Sequence, residues 1–207
     1  MPIDHKKSST IFSQREVYKK GGAGRWYWDF RDRKIFDFIG DNHRNIVDIG
    51  CGEGITLEKL VNKYKDKNIL GVDAMAENVD ICKQNNLPVI LSDVYDLKIE
   101  DESIDLCIFS EVIEHLDNVG LALENIKRIL RPCGDLIIVF PYDAVFKAAR
   151  IFFLKFKEAF AEYGHVNHFS PQSIGNILGK AGFEIIKIKN IPFGFLGLHC
   201  LVSARKK

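Results

Sequence analysis

The chain has 207 residues, 46% of them apolar and 28% charged, which is typical of one globular domain with a full hydrophobic core. Its formal net charge of +1 provides no strong electrostatic field for binding nucleic acid or an acidic partner. The polar start MPIDHKKSST lacks the apolar segment of a signal peptide, and no apolar run is long enough to span a bilayer, so we expect a cytoplasmic protein. Five cysteines without a CxxC pair favour neither a disulfide framework nor a zinc knuckle.

The amino-terminal segment, residues 1–43, is expected to form a helical cap. Residues 1–24 are polar and end in KKGGAG, which predicts a flexible entry. The next stretch, RWYWDFRDRKIFDFIG, is rich in aromatic residues and has the spacing of a helix. Its expected inward positions are Phe30, Ile35, Phe38 and Ile39.

From residue 44 to residue 140, short apolar runs alternate with segments of helical spacing. Strands are predicted at 45–50, 68–73, 88–93, 103–111 and 135–141. Helices are predicted at 55–64, 76–85 and 120–130. Because the strands are apolar almost throughout, they predict a parallel sheet covered by helices on both faces. Cys107, inside the fourth strand, is expected in the core.

The segment 170–207 has a different pattern. SPQSIGNILGKAGF predicts a helix with Ser170 as its N-cap and Pro171 at the first helical position. Strands are predicted at 184–190 and 197–206, and their short connection favours antiparallel pairing. The predicted fold class is therefore α/β: a Rossmann-like, doubly wound, mostly parallel sheet with a C-terminal antiparallel strand pair, in a single domain.

The stretch VDIGCGEG, residues 47–54, places three glycines where the first strand turns into the first helix. Glycine adopts positive φ without penalty and allows a ligand to approach the backbone closely. Ligands of open α/β sheets bind at the carboxyl ends of the strands, so Gly50, Gly52 and Gly54 are candidates for such a site. The alternative is a tight turn that only packs the helix against the strand. Glu53, between two of the glycines, is expected to point into water.

Three aspartates stand at the ends of the first three predicted strands. Asp48 precedes the glycines, Asp73 closes the second strand and Asp93 closes the third. A carboxylate about 20 residues after the glycines suits a ribose diol, because it can accept both hydroxyl protons. Three acids on one edge would repel each other unless a ligand with hydrogen-bond donors lies among them. The GxGxG spacing also differs from the GxGxxG of dinucleotide-binding proteins.

These motifs resemble, in order and spacing, the class I S-adenosylmethionine-dependent methyltransferases. The resemblance rests on VDIGCGEG, GVDAM, LSDVYDL, DLCIFSEVIEHLDN and LRPCGDLIIVFP, and HVNHFSPQSIGNILGKAGFEI extends it beyond residue 140. It is strongest toward the small type 11 and ubiquinone-biosynthesis O-methyltransferase branch. It implies an enzyme with S-adenosylmethionine as cofactor, and it leaves the substrate open.

The resemblance implies a role for each motif residue. The methionine part of the cofactor would lie along Asp48, Gly50, Cys51, Gly52 and Gly54. Asp73 would hold the ribose hydroxyls, Met75 would lie against the adenine, and Ala74 would also contact the cofactor. Asp93 would accept the adenine amino group beside Val94, and Ser110 would lie near the sulfonium.

Candidate catalytic side chains follow in SEVIEHL. Glu111, Glu114 and His115 are spaced i, i+3 and i+4, so on a helix they would share one face. They could hold a divalent metal, as some quinone-biosynthesis relatives with a similar segment are thought to do, or His115 could deprotonate a hydroxyl acceptor. Alternatively, His115 caps the helix and the glutamates face water. We predict His115 as a catalytic residue and assign no metal ligand.

The connection after the fifth strand usually supplies the acceptor site in this superfamily. It contains His165 and His168, and His168 is predicted to act on the substrate unless it only packs on the loop. Before them, residues 145–163 place aromatic side chains on one helical stripe and basic side chains on the other side. Three interpretations remain for the stripe: a cover of the core or cleft, a lid over an apolar acceptor, or a peripheral membrane contact.

The expected reaction is methyl transfer to a small molecule, and oxygen is the favoured acceptor atom. Apolar acceptors, either quinone-like or lipid-like, are among the candidates. Amino-methylating DNA enzymes of the superfamily carry an Asp/Asn-Pro-Pro-aromatic motif where this chain has FSEV, so no nucleic-acid partner is expected. Two rivals remain: a nicotinamide-dependent oxidoreductase of the same fold, and a non-catalytic methyltransferase-like module that serves as a partner subunit.

Overall fold

The structure, a computed structural model, describes residues 13–141, 167–191 and 197–207. The helices of these ranges are α1 Gln14–Lys20, α2 Gly22–Phe36, α3 Ile55–Lys63, α4 Ala76–Gln84, α5 Val119–Ile129 and α6 Pro171–Lys180. The strands are β1 Asn45–Ile49, β2 Asn68–Asp73, β3 Val89–Leu91, β4 Ile104–Ser110, β5 Leu130–Pro141, β6 Phe183–Ile191 and β7 His199–Lys206.

The strands form one sheet in the order β3-β2-β1-β4-β5-β7-β6. The first five strands in that order run parallel, whereas β7 is antiparallel to both β5 and β6. The predicted Rossmann-like fold class, with its antiparallel C-terminal pair, is therefore confirmed. Because β7 runs against the parallel strands, its first residue lies at the sheet edge where β1, β4 and β5 end.

Two hydrophobic clusters cover the two faces of the sheet. On one face α2, α3 and α4 contribute buried side chains, among them Ile35, Leu57 and Cys82. On the other face α5 and α6 contribute, among others, Leu123 and Ile174. The central strands are buried on both sides, which explains why their sequences are apolar almost throughout. Cys107 is fully buried, as predicted.

The amino-terminal segment differs from the prediction in two ways. The expected flexible entry up to residue 24 contains α1, and α2 already begins at Gly22. Helix α1 buries none of its residues, so apolar periodicity could not reveal it; Ser13 caps its first turn. Helix α2 ends at Phe36, and the predicted inward residues Phe38 and Ile39 lie beyond it, partly buried against the core.

Charged side chains hold α2 against α3. Asp32 is 1% exposed, and its carboxylate accepts hydrogen bonds from Thr56 Oγ1 at 3.2 Å and Lys59 Nζ at 2.6 Å. Lys59 also pairs with Asp29 at 2.7 Å. This network fixes α2 beside the start of α3, directly over the glycine loop.

The aromatic stripe predicted at 145–163 and His165 lie outside the described residues. Within the three described ranges, no helix has the length and hydropathy that crossing a membrane requires.

Candidate functional site

The glycine loop between β1 and α3 has the backbone conformation that its composition predicts. Gly50, Gly52 and Gly54 have φ angles of 72°, 56° and 79°. At Gly50 a side chain is excluded twice, because φ is positive and a Cβ would lie 2.3 Å from Val112 Cγ2. The loop therefore packs closely against Val112 at the point where β1 and β4 end side by side.

Two cavities meet at Gly50, at the carboxyl ends of the parallel strands. The larger has a volume of about 270 Å³, and its lining includes Gln14, Trp28, Arg31, Asp48, Ser110 and Glu111. The smaller has a volume of about 120 Å³, and its lining includes Asp73, Asp93, Val94, Val112 and His115. Together they lie in the lower part of the roughly 300–1,000 Å³ that small-molecule sites occupy.

Asp48 lies at the inner end of the larger cavity. Its side chain is 3% exposed, and no described residue offers a hydrogen bond to its Oδ2. Burial raises the pKa of Asp48 to about 7; the carboxylates of Asp32 and Asp73 add to the rise, and the Arg31 guanidinium opposes it. A buried carboxylate without partners is costly, so a cationic group of a ligand would be stabilised there.

Asp73, at the end of β2, is held in a fixed orientation. Its Oδ2 accepts a hydrogen bond from the Gly52 amide at 2.8 Å, and its Oδ1 accepts from the Met75 amide at 2.9 Å and from Asn78 Nδ2 at 3.0 Å. These bonds join the glycine loop to the start of α4. They also orient the carboxylate beside the smaller cavity, which Asp73 lines.

The other predicted cofactor residues are distributed over the same edge. β3 ends at Leu91, earlier than predicted, so Asp93 lies two residues beyond it and caps the turn at Val94–Asp96 through the Tyr95 amide at 2.9 Å. Ala74 and Val94 line the smaller cavity, and Cys51 and Ser110 line the larger one. Ser110 Oγ is buried without a hydrogen-bond partner among the described residues. Met75 directly follows Ala74 and precedes α4.

The expectation that Glu53 points into water is wrong. Glu53 is 7% exposed, and its carboxylate accepts hydrogen bonds from Ser13 Oγ at 2.5 Å and from the amides of Gln14 and Arg15, both at 2.8 Å. The Arg15 Nε in turn donates to the Glu53 carbonyl at 2.6 Å. A helix start attracts a carboxylate because its first amides lack partners, and here the carboxylate comes from the glycine loop. Glu53 therefore anchors α1 over the larger cavity.

A helix through SEVIEHL, which would bring Glu111, Glu114 and His115 to one face, does not form. Glu111 has a φ of 58°, which turns the chain out of β4, and Ile113–His115 form a single 3₁₀ turn. Since no α-helix follows, the i, i+3, i+4 spacing does not bring the three side chains together. Glu111 pairs with His199 at 2.9 Å, Glu114 is 2% exposed, and His115 is exposed at the smaller cavity.

The two histidines predicted to be catalytic lie apart from the larger cavity. His115 lines the smaller cavity, and His168 is exposed just before α6, next to a segment whose Asn167 amide donates to the Glu114 carbonyl at 3.1 Å. Their catalytic roles stay predictions. In the described part of the chain, no group of three or more His, Cys, Asp or Glu side chains is arranged to hold a metal ion.

Sequence reasoning missed three residues that line the larger cavity and one that lies behind it. Gln14, Trp28 and Arg31 reach it from the helical cap. His199, 7% exposed, stands behind Glu111 at the start of β7. Arg31 and Trp28 belong to the aromatic and charged stretch RWYWDFRDRKIFDFIG, which was predicted only as part of a helical cap. Because β7 is antiparallel, its first residue lies at the edge where the parallel strands end. The position of His199 near the start of a predicted antiparallel strand was therefore the signal that could have identified it.

Comparisons with known proteins agree with this geometry. Residues 27–188 match the model of a family described as a methyltransferase domain. A ubiquinone biosynthesis O-methyltransferase of Bartonella tribocorum is 33% identical over 99 residues, which cover 45% of this chain and 39% of that protein. A tRNA (carboxymethyluridine(34)-5-O)-methyltransferase of Mus musculus is 31% identical over 116 residues, which cover 54% of this chain and 17% of that protein. The chain thus spans well under half the length of these curated relatives.

Among solved structures, a SAM-dependent methyltransferase from Aquifex aeolicus is similar in fold. The TM-score is 0.70 at 19% sequence identity, and the alignment covers 95% of this chain and 100% of that one. At this identity the likeness concerns the fold.

Proposed function

The chain belongs to the family of methyltransferase domains, whose cofactor is S-adenosylmethionine, and we propose that it methylates a small-molecule acceptor at oxygen. The observation that carries the proposal is the charge pattern of the two cavities. The larger combines the buried Asp48 with the Arg31 guanidinium, and the smaller is lined by the carboxylates of Asp73 and Asp93. This pattern is complementary to a zwitterionic amino acid joined to a nucleoside.

The larger cavity fits the methionine end of the cofactor. Asp48 Oδ2, buried and without a partner among the described residues, would receive the ammonium group. Arg31, which lines the same cavity and pairs with Asp32 at 3.1 Å, would bind the carboxylate, because its planar guanidinium matches carboxylate geometry. Ser110 Oγ, also without a described partner, adds a polar atom at the end of β4.

The smaller cavity fits the adenosine end. Asp73 would accept hydrogen bonds from the ribose hydroxyls, and its three protein hydrogen bonds already hold the carboxylate in place. Asp93 would accept from the adenine amino group, with Val94 beside the ring. A dinucleotide is less suited to this edge, since its pyrophosphate would bring negative charge to the buried Asp48.

When bound, S-adenosylmethionine supplies an electrophilic methyl group on a positively charged sulfur. The protein's task is then to position the acceptor in line and to remove its proton where the acceptor is a hydroxyl. Oxygen is favoured as the acceptor atom because both relatives named above are O-methyltransferases by name. The net charge of +1 favours a small molecule over a nucleic acid, and a quinone-like or otherwise apolar acceptor is included in the proposal.

The first experiment measures binding. Calorimetry and thermal melting with S-adenosylmethionine and with S-adenosylhomocysteine should both give a signal. The free energy of unfolding should rise by about 2.7 kcal/mol at a hundredfold excess of ligand over its dissociation constant. Absence of both signals would contradict the cofactor assignment.

The second experiment identifies the acceptor. Methyl-labelled S-adenosylmethionine is incubated with the full chain and a panel of phenols, hydroxylated quinone precursors, small carboxylic acids, lipids, amines and a tRNA transcript. Transfer to a hydroxyl or carboxyl oxygen is expected. Transfer to amines alone would contradict the oxygen acceptor, and transfer to tRNA alone would contradict the small molecule. Cofactor binding without any transfer would favour the non-catalytic partner subunit.

A further inference from the structure

Three side chains from three separate elements form a connected chain behind the larger cavity. Glu111 follows β4, His199 begins β7 and Tyr27 lies in the first half of α2. The His199 Nε2 lies 2.9 Å from Glu111 Oε1, and the Tyr27 hydroxyl forms a hydrogen bond with His199 Nδ1. The rings of Tyr27 and His199 are 5.3 Å apart.

The hydrogen bonds assign the direction in which each group donates. Burial, and next the carboxylate of Glu111, raise the pKa of Tyr27, and this outweighs the opposing effect of Arg31. Tyr27 therefore keeps its proton and donates to His199 Nδ1. With Tyr27 as the donor to Nδ1, the imidazole hydrogen lies on Nε2, the nitrogen that is 2.9 Å from Glu111 Oε1.

Glu111 is the member of this chain that faces the cavity. Its amide donates to the Val139 carbonyl at 2.8 Å, so the backbone at φ 58° is fixed against β5. Its side chain is 30% exposed, whereas His199 is 9% exposed. Glu111 lines the larger cavity next to Ser110. A ligand can therefore reach the carboxylate but not the imidazole behind it.

We propose that Glu111 is the general base that takes the proton of a hydroxyl acceptor, and that His199 and Tyr27 are positioning residues that hold its carboxylate. The assignment rests on the proposed O-methyl transfer. The acceptor oxygen forms a bond to the methyl carbon, the carbon–sulfur bond breaks with both electrons remaining on sulfur, and the hydroxyl proton passes to Glu111. The sulfonium becomes a neutral thioether, so charge and protons balance.

The surroundings of Glu111 support this role. Arg31 and Tyr27 face it from α2, His199 faces it from β7, and Asp48 lies at the end of β1 in the same cavity. The Arg31 guanidinium favours the ionised carboxylate. The two histidines predicted from sequence do not line this cavity.

The kinetic test uses the acceptor that the panel identifies, in a series of ring-substituted or chain-substituted forms with hydroxyls of different acidity. Glu111→Gln should lower kcat by about 10²–10⁴-fold for the least acidic member, which is the usual contribution of a general base. The loss should shrink steadily as the acceptor becomes more acidic, since an ionised acceptor needs no base. Glu124→Gln, a change of an exposed glutamate on α5, is the matched control and should alter nothing.

The positioning residues should give smaller, graded effects. Tyr27→Phe keeps the ring and removes the donor, and we expect kcat to fall by roughly tenfold with little change in KM. His199→Gln should lower kcat further. Glu111→Asp keeps the carboxylate and should retain more activity than Glu111→Gln, which separates loss of the base from loss of folding.

A readout without any acceptor is the imidazole ¹⁵N spectrum of His199, assigned with His199→Gln. The expected signal is the Nε2–H tautomer in the wild type and a mixture of tautomers in Tyr27→Phe. A dominant Nδ1–H tautomer would overturn the proposal, and so would an equal loss in Glu111→Gln across the whole acceptor series. Transfer only to nitrogen in the wild type would instead refute the proposed oxygen acceptor, and the base assignment with it.

Discussion

Two buried aspartates at opposite edges of the same sheet have opposite surroundings. Asp48, at the carboxyl end of β1, has a pKa raised to about 7 and an Oδ2 without a described partner. Asp135, at the opposite edge, accepts hydrogen bonds from His43 Nε2 at 3.0 Å and from Arg205 Nε at 2.8 Å. Burial alone would raise the pKa of Asp135, but the bonds from His43 and Arg205 outweigh it and lower the pKa below its usual value.

The comparison shows two roles that a buried charged side chain can have, namely stabilising the fold and binding a ligand. At Asp135 the protein supplies the partners itself, the Arg205 guanidinium and a hydrogen bond from His43, so the carboxylate contributes to stability and needs nothing from outside. At Asp48 the nearest carboxylates, Asp32 and Asp73, add to its cost, and Arg31 compensates only in part. A buried charge that the protein leaves without a full counter-charge is expected where a ligand supplies one. The carboxyl edge of the sheet, which holds Asp48, is therefore the functional edge.

The largest effect is expected at Asp73, which shares the carboxyl edge with Asp48. Asp73→Asn should weaken S-adenosylhomocysteine binding at least a hundredfold, because two charge-assisted bonds to the ribose are each worth about 1.5–3 kcal/mol. Asp80→Asn, the same change at an exposed position of α4, is the control. The measurement is calorimetric titration, and an equal affinity in the two variants would refute a role for Asp73 in binding the ribose.

Asp48→Asn should alter the pH dependence of folding. A carboxyl whose pKa is raised in the folded state is stable when protonated and loses stability as the pH rises from its unfolded value toward about 7. Relative to the variant, the wild type should lose ~2–3 kcal/mol between pH 5 and pH 8. Denaturant unfolding of both proteins at the two pH values measures this difference. A constant difference would show that Asp48 titrates normally.

Asp135→Asn should behave in the opposite way. Because the folded pKa of Asp135 is lowered, its contribution is present above the unfolded pKa and is lost as the pH falls through the folded one. The variant should be less stable by about 1–3 kcal/mol at pH 7, with the difference shrinking at acidic pH. Its affinity for S-adenosylhomocysteine should equal that of the wild type, and a weakened affinity would contradict the separation of the two edges.

The last prediction concerns the affinity of the wild type itself. Asp48 is protonated below about pH 7 in the free protein, and an ammonium ligand needs it ionised. The dissociation constant for S-adenosylhomocysteine should therefore rise by up to about tenfold per pH unit between pH 7 and pH 5, or about 1.4 kcal/mol per unit. Asp48→Asn should bind weakly with no such slope. A slope of equal size in the variant would assign the titration to another group.

The parallel part of the fold and its glycine loop were predictable from sequence because one local rule governs each. Continuous apolar runs indicate strands buried on both faces, and this rule located β1, β2 and β4 to within a few residues and the end of β5, which begins at Leu130 and not at the predicted residue 135. The carboxyl ends of parallel strands share an edge, which brought Asp48, Asp73 and Asp93 to the same two cavities. The cofactor roles of these residues stay predictions.

The errors occurred where contacts distant in the chain decide the structure. Helix α1 buries no residue, and it depends on Glu53 about 40 positions away, as the hydrogen bond across 39 positions to Gln14 illustrates. The segment after β4 has good helix formers, yet Glu111 adopts a positive φ. Its amide bonds to Val139 on β5 and its side chain bonds to His199 on β7. No local pattern contains those partners.

The position of β7 also sets an order of events during synthesis and folding. It follows β6 in the chain but lies between β5 and β6 in the sheet, so β6 has no strand to join until β7 has arrived. The contact of Tyr27 with His199 closes a loop of 172 positions, and loop closure over such a distance is slow. A ribosome-bound chain that has exposed β1 to β5 can thus assemble the glycine loop and its aspartates, while Glu111 still lacks its histidine. We expect such a nascent chain to form the nucleoside cavity before Glu111 is positioned to act as a base.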